Sequence, residues 1–377
     1  MEGSGAERFD TVIIGGGQAG LAAGYHLAKR GVPSVILDAS ERIGDAWRNR
    51  WDSLRLFTPA KYDGLPGWRF PAPKSTFPTK DEMADYLEAY AAKFDLPVRT
   101  GIRVNGLSRD GDRYVVVSGE RRFEADRVVV ATGAHRVPKI PSFAFELNPG
   151  IVLLHSSDYR NPSQLRDGDV LVVGLGNSGA EIAFELSKSK RTWLSGKPSG
   201  QIPVRHGSRA YRFGVPIFRF AGSHVLTKGT PIGRKVGPRF ATMGDPLVRV
   251  KTKDLVAAGV ERVPRVVGVR DGLPVLEDDR VLEVANVIWC TGYRQEFSWI
   301  DLPIFGEDGE PVHDRGVVVS EPAMYFMGLV FQYAVTSDVL PGVGRDAKYI
   351  ARHIATREAE RRTFVRQLPV TPAGTAR

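Results

Sequence analysis

One unit occurs twice in this chain, and the repeat narrows what the chain can fold into. An apolar, β-branched run at residues 11–14 leads into Gly15-Gly-Gly17-Gln18-Ala19-Gly20 and then a helix-forming stretch over 21–28. A second run at 170–173 leads into Gly174-Leu-Gly176-Asn177-Ser178-Gly179 and another such stretch over 180–186. Each copy closes with a further apolar run ending in Thr-Gly, at Thr132-Gly133 and at Thr291-Gly292. Thr132 follows Gly15, and Thr291 follows Gly174, by the same 117 residues. An apolar run before a glycine turn reads as a buried parallel strand. Strand, GxGxxG turn and helix in succession form the context in which this fingerprint holds a dinucleotide. The expected fold is therefore α/β, with two Rossmann-like dinucleotide-binding domains, the second inserted into the first. Residues 1–150 and 297–377 form the first domain, and 151–296 the second.

The chemistry of each turn follows from its glycines. The first permits the tight turn, the second lets the backbone approach a pyrophosphate, and the third lets helix and strand pack closely. The phosphates then face the free N–H groups of the helix N-terminus. Asp38 ends the next strand, 18 residues after Gly20. A carboxylate there accepts the ribose hydroxyls of an adenosine and repels a 2′-phosphate, so the first site is expected to take FAD or NAD. At the matching point of the second copy stands Ser195-Gly-Lys197, with no acid. A hydroxyl and a cation suit the 2′-phosphate of NADP, with NADH as the alternative and a solvated surface lysine as the plain reading of Lys197. Two nucleotide sites in one chain make sense for a flavin and a nicotinamide that exchange a hydride.

Composition removes several other functions. The 377 residues contain one cysteine, Cys290, so no intramolecular disulfide or dithiol redox pair can form. No apolar run is long enough to span a bilayer, and the N-terminus lacks a secretory pattern, so a cytoplasmic location is expected. The seven histidines show no metal-ligand spacing. The net charge of +9 is uneven: residues 197–253 carry twelve Lys and Arg against one acid, Asp245. That segment is +11 and the remainder −2. It reads as a lid-like insert whose cations attract the nicotinamide nucleotide, with peripheral membrane contact through 205–253 as the next option. No nucleic-acid-binding motif accompanies it.

Several motifs in one order resemble the flavin-containing monooxygenases, in particular their small bacterial members, over roughly residues 9–356. They are the two glycine turns, Gly44-Asp-Ala-Trp47, Trp51-Asp-Ser-Leu54, Tyr86-Leu-Glu-Ala-Tyr90, Ala131-Thr-Gly133, His155-Ser-Ser-Asp-Tyr159, Cys290-Thr-Gly-Tyr293 and Val343-Gly-Arg-Asp-Ala347. The resemblance implies an enzyme in which NADPH reduces FAD. O₂ then forms a C4a-peroxyflavin that oxygenates a small substrate at nitrogen, sulfur or a carbonyl; a pocket among Trp47, Phe57, Tyr62 and residues 205–225 would favour an apolar or aromatic one. It implies FAD contacts at Gly15, Gly17, Gln18, Ala19, Gly20, Asp38, Trp47, Phe57, Thr58, Val104, Thr132, Gly133 and Asp338. It implies NADPH contacts at Gly174, Gly176, Asn177, Ser178, Gly179, Ser195, Lys197, Thr291 and Gly292.

Two departures qualify the match. In the family pattern three residues separate Phe-x-Gly from a histidine, whereas here four residues separate Asn148-Pro-Gly150 from His155. The half from His155 to Tyr159 fits, and Baeyer–Villiger relatives carry Trp where Tyr159 stands. Larger members place an active-site Asn where this chain has Phe57, with Thr58 next. That opens one alternative, an uncoupled NAD(P)H oxidase or reductase on the same scaffold; a second, from a different class, is a non-catalytic redox-sensing flavoprotein that reports to a partner through the basic segment. Phe57, Thr58 and Gln332 are the catalytic candidates, with a loop glutamine bonded to backbone the plain reading of Gln332. His155 reads equally as a satisfied buried histidine, Cys290 as an inert core thiol, and Glu181 and Glu185 as a solvated helix face.

Overall fold

A computed structural model describes residues 6–133, 137–198, 200–242 and 244–367. The frayed tail expected over 368–377 lies outside them. Two sheets of mostly parallel strands organise the chain. In the first, Glu7–Ile14 lies between Val35–Leu37 and Arg121–Val130, parallel to both. Val98–Arg99 extends one side and Met324–Phe326 the other. In the second, Val170–Val173 lies between Thr192–Ser195 and Asn286–Trp289, and Glu261–Val263 and Val152–His155 complete five parallel strands. The order matches strand for strand. The strand before the glycine turn is central, the next strand flanks it on one side, and the strand ending in Thr-Gly flanks it on the other.

The repeat extends to single hydrogen bonds. Gly15 N donates to Leu37 O at 2.7 Å, and Gly174 N to Ser195 O at 2.8 Å. Ala131 N donates to Ile14 O at 2.8 Å, and Cys290 N to Val173 O at 2.7 Å. The first sheet also carries an antiparallel meander, Gly106–Asp110, Arg113–Ser118 and Arg121–Val130.

The first sheet buries one face against the helices Gln18–Ala28, Lys80–Lys93 and Leu340–Gln367. Lys80–Lys93 starts at a capping box in which Thr79 and Glu82 satisfy each other's backbone N–H groups. The last helix begins at Leu340, with Pro341 in its first turn, where the missing N–H and preset φ of proline are tolerated. Residues 44–80 form an ordered loop, with a short helix, Asp45–Arg48.

The basic insert folds as the helix Arg209–Phe220, a wide turn at Ala221–Val225 and the helix Pro231–Thr242. It docks on the first sheet's unit at two places. Tyr211 and Val215 pack near Tyr62 and Phe77. Lys228 N donates to Tyr333 O at 2.7 Å, and Arg345 reaches Ser223 O at 2.7 Å.

Candidate functional site

The two glycine turns show which glycines serve the fold. A Cβ on Gly15 would strike the Ala131 carbonyl, and one on Gly174 the Cys290 carbonyl. Both residues also hold left-handed backbone, with φ of +109° and +111°. A Cβ on Gly20 would strike the Gly15 carbonyl, and one on Gly179 the Gly174 carbonyl. The middle glycines differ. Among the described residues, chain neighbours and the helix's own backbone apart, no atom lies within 4 Å of the Cβ position of Gly17 or Gly176. Their φ values, −77° and −91°, are open to any residue. Neither packing nor backbone requires glycine there, and a bare approach for a phosphate explains it. The residues of both turns therefore fit a dinucleotide.

Around the first turn, the Asp38 carboxylate accepts from Gly16 N at 2.5 Å and from Ser40 N at 2.9 Å. Its position at the carboxyl end of the second strand leaves further lone pairs for ribose hydroxyls. Ala19 is buried in the core behind the turn. Gln18 extends from the helix start and donates to Asp338 O at 3.1 Å, joining two expected FAD contacts 320 residues apart. Burial pushes the Asp338 carboxyl up to about 7, and Asp245 of the insert adds to the rise. Val104 is buried, and its peptide group bonds to no other described residue. Thr132 and Gly133 lie half-buried past the strand end, Gly133 with φ +76°. Trp47 packs partly buried on the first sheet's core, whereas Trp51 is buried with Tyr159 in the core of the second sheet.

Around the second turn, some expected contacts are occupied. The Asn177 side chain donates to Pro246 O at 3.1 Å and accepts from Val248 N at 2.9 Å, clamping the end of the insert to the turn. Ser195 is 1% exposed; its hydroxyl donates to Pro264 O at 2.8 Å and accepts from Val266 N. That hydroxyl faces the neighbouring strand and is spent there, so the cation carries the recognition expected of the pair. Lys197 is exposed, one residue after Gly196, whose Cβ position lies 3.1 Å from Leu175 N. Arg262 donates to Gly196 O at 2.7 Å, a second exposed cation at this edge that only the strand pairing reveals. Ser178 is half-buried at the helix start. Thr291 Oγ1 donates to Lys139 O, and Lys139 N to Gly292 O at 2.9 Å, fastening the crossing between the two units.

His155 is buried and satisfied. One ring nitrogen meets Gly292 O at 3.1 Å, the other Ser157, and burial lowers its pKa. Burial pushes the Cys290 thiol up to about 12, so it stays protonated.

Between the first unit and the insert lies a cluster that the sequence shows only in part. The Phe57 ring is 36% exposed, and its carbonyl accepts from Tyr211 OH at 2.5 Å and from His206 Nε2 at 3.0 Å. Thr58 Oγ1 donates to Asp63. Asp63 is fully buried, its Oδ2 has no hydrogen-bond partner, and burial pushes its carboxyl up to about 7. A buried acid kept near neutrality beside a cleft is a functional-site signature. Nothing but its place beside Thr58 marks Asp63 in the sequence.

One open reading is decided and one expectation changes. Gln332 is 0% exposed, with its amide donating to Arg315 O and accepting from Leu329 N, so it takes the plain reading of a loop glutamine bonded to backbone rather than that of a catalytic candidate. The solvated face expected of Glu181 and Glu185 is instead engaged. Glu181 is 8% exposed and paired with Arg249 at 2.9 Å, and Glu185 accepts from the buried Tyr159 OH at 2.8 Å. Arg249 from the insert's return and Tyr159, four residues past the strand Val152–His155, engage that helix face.

Comparison with known proteins agrees with this geometry. A family model described as pyridine nucleotide-disulphide oxidoreductase matches residues 12–196. An uncharacterised CzcO-like oxidoreductase of Geobacillus kaustophilus is 38% identical over 348 residues, spanning 92% of this chain and 98% of that protein. An uncharacterised oxidoreductase CzcO of Bacillus subtilis is 36% identical, spanning 92% and 99%. The solved structure of a flavin-containing monooxygenase from Stenotrophomonas maltophilia is 29% identical with a TM-score of 0.74, spanning 93% of this chain and 99% of that one.

Proposed function

This chain belongs to the flavin monooxygenase family, among its CzcO-like oxidoreductases, and on that footing we propose that it uses NADPH and FAD to oxygenate a small apolar or aromatic molecule with O₂. The observation that carries the reading is the pair of congruent turns whose middle glycines face open space, one beside a carboxylate and the other beside a cation. On this reading Gly15, Gly17, Gly20, Asp38, Val104 and Asp338 hold FAD in the unit 1–150 and 297–377. Gly174, Gly176, Gly179 and Lys197 hold NADPH in the unit 151–296. When bound, FAD accepts a hydride from the nicotinamide and delivers the electrons to O₂.

The chain's own residues do the positioning. Peptide N–H groups at the two helix starts face the pyrophosphates. Asp38 orients a ribose and turns away a 2′-phosphate, while Lys197 attracts one. The half-exposed Phe57 ring, held by its clasped carbonyl, supports an apolar or aromatic substrate. The buried acid Asp63 holds Thr58, and the insert closes over both, which limits water at the reacting centre.

The test uses the purified flavoprotein, ¹⁸O₂ and a panel of apolar amines, sulfides and ketones. Label appearing in product, with NADPH consumed in step, supports the proposal. Reducing equivalents recovered entirely as hydrogen peroxide with every substrate would favour the oxidase reading, for which the engagement of Thr58 by Asp63 speaks. Nucleotide binding with no oxidation of NADPH would favour the regulatory one. For the cofactor choice, Lys197→Ala is expected to raise the KM for NADPH about tenfold and leave that for NADH unchanged, since a charge-assisted contact accounts for ~1.5 kcal/mol.

A further inference from the structure

The helix Arg209–Phe220 is oriented against the usual rule. A surface helix turns its apolar stripe to the core and its polar face to water. Here only Tyr211 and Val215 are buried. Phe213, Ile217 and Phe220, spaced i, i+4 and i+7, share the opposite face and are 79%, 70% and 62% exposed. Phe218 beside them is 58% exposed, and Ile232, on the following helix, 58%. Arg205, Arg209, Arg212, Arg234 and Lys235 of the same insert are exposed, as is Arg219, whose guanidinium lies 5.1 Å over the Tyr62 ring. No Asp or Glu lies between Lys197 and Asp245. Scattered exposed apolar residues are ordinary, but a contiguous set on one helix face marks an interaction surface.

The charge decides what covers it. A second copy docking through the same face would set one basic patch against another, since a twofold interface is self-complementary. An anionic bilayer satisfies both components at once: aromatic side chains enter the headgroup boundary, and arginines on the flank meet lipid phosphates. The inner face of the same helix is fixed to the enzyme body through Tyr211 and Val215, and the turn that follows it through the Ser223 carbonyl, which accepts from Arg345, so docking would not require the helix to leave its seat. We infer that the 209–235 face is a peripheral membrane anchor that seats the enzyme on anionic lipid.

The full-length, FAD-loaded protein is sedimented with phosphatidylcholine vesicles, with and without a phosphatidylglycerol fraction, at low and high salt. Binding is expected on the anionic vesicles, at least tenfold weaker on neutral ones, and reduced by salt. The triple variant Phe213→Ser/Ile217→Ser/Phe220→Ser is expected to lose at least tenfold in partitioning while keeping its flavin absorbance and far-UV circular dichroism. Arg212→Gln/Arg219→Gln is expected to weaken binding to anionic vesicles and leave the residual neutral binding unchanged. Absence of binding to anionic vesicles, or equal partitioning by the triple variant, would overturn the inference. So would a concentration-dependent dimer in light scattering that the triple variant converts to monomer, because the face would then join two copies.

Discussion

Gly17 and Gly20 stand three residues apart in one turn, yet their substitution has opposite physical meanings. An alanine at Gly20 would drive its methyl into the Gly15 carbonyl, so helix and strand would have to separate. An alanine at Gly17 meets nothing in the protein and adopts an ordinary φ. Gly17→Ala is therefore expected to fold with unchanged stability in its flavin-free form but to lose FAD on gel filtration, and Gly20→Ala to lose both. Thermal unfolding of stripped and reloaded protein separates the two; a destabilised stripped Gly17→Ala would mean that the glycine serves the fold. Asp63 supports a pH test. Its folded carboxyl titrates near 7 because it is buried, against ~3.9 in an unfolded chain. The folded state thus binds the proton more tightly. The associated stability is fully present below pH ~4, is lost as pH rises, and levels off above about 7. Asp63→Asn keeps an acceptor for Thr58 and cannot ionise. Between pH ~5 and pH ~8 it is expected to gain on the parent by on the order of 1–3 kcal/mol, a few degrees in Tm. Equal pH slopes for both proteins would show that Asp63 ionises freely.

At the scale of elements, the second glycine helix is both the start of a nucleotide site and the seat of the insert. Asn177 holds Pro246 and Val248, and Glu181 holds Arg249 one turn on. Asn177→Ala removes both hydrogen bonds and strands the Val248 N–H, a loss of ~1–3 kcal/mol. The KM values for NADPH and NADH are expected to rise together, severalfold, unlike the selective effect of Lys197→Ala; unchanged values for both would detach the insert from the nucleotide site. The same contacts show where the sequence becomes legible. The strands, turns and helices of both copies could be read because their pattern is local and repeated, whereas the strand order comes from the fold. Asn177 and Ser195 could be placed beside the nucleotide but not given their partners, Pro246 and Pro264, each 69 residues further on. Glu181 reads as solvated for the same reason, since its burial depends on Arg249. Asp63 was invisible because a single acid in an irregular loop has no periodicity; only the fold shows that its surroundings are dry.

At the scale of the molecule, the charge is divided between a basic insert of +11 and a remainder of −2, and the insert's end is fastened beside the second glycine turn. Cations grouped near a cleft raise the local concentration of an anion and accelerate its capture, an effect screened over a Debye length of ~10 Å at 0.1 M salt. The two nicotinamide nucleotides provide an internal control, because they differ by one phosphate and present the same reacting ring. Raising sodium chloride from ~20 to ~300 mM is expected to lower kcat/KM for NADPH severalfold and for NADH distinctly less, with kcat for either little changed. Lys197→Ala should bring the two salt slopes together without making either flat, since the exposed arginines of the insert still contribute the long-range field. Parallel slopes in the parent protein would mean that the field acts on the shared pyrophosphate alone. A fall in kcat with salt would instead place the effect on a step after binding, such as closure of the insert over the site. The measurement is made without lipid, so that screening of the nucleotide is not confused with release of the exposed 209–235 face from a membrane.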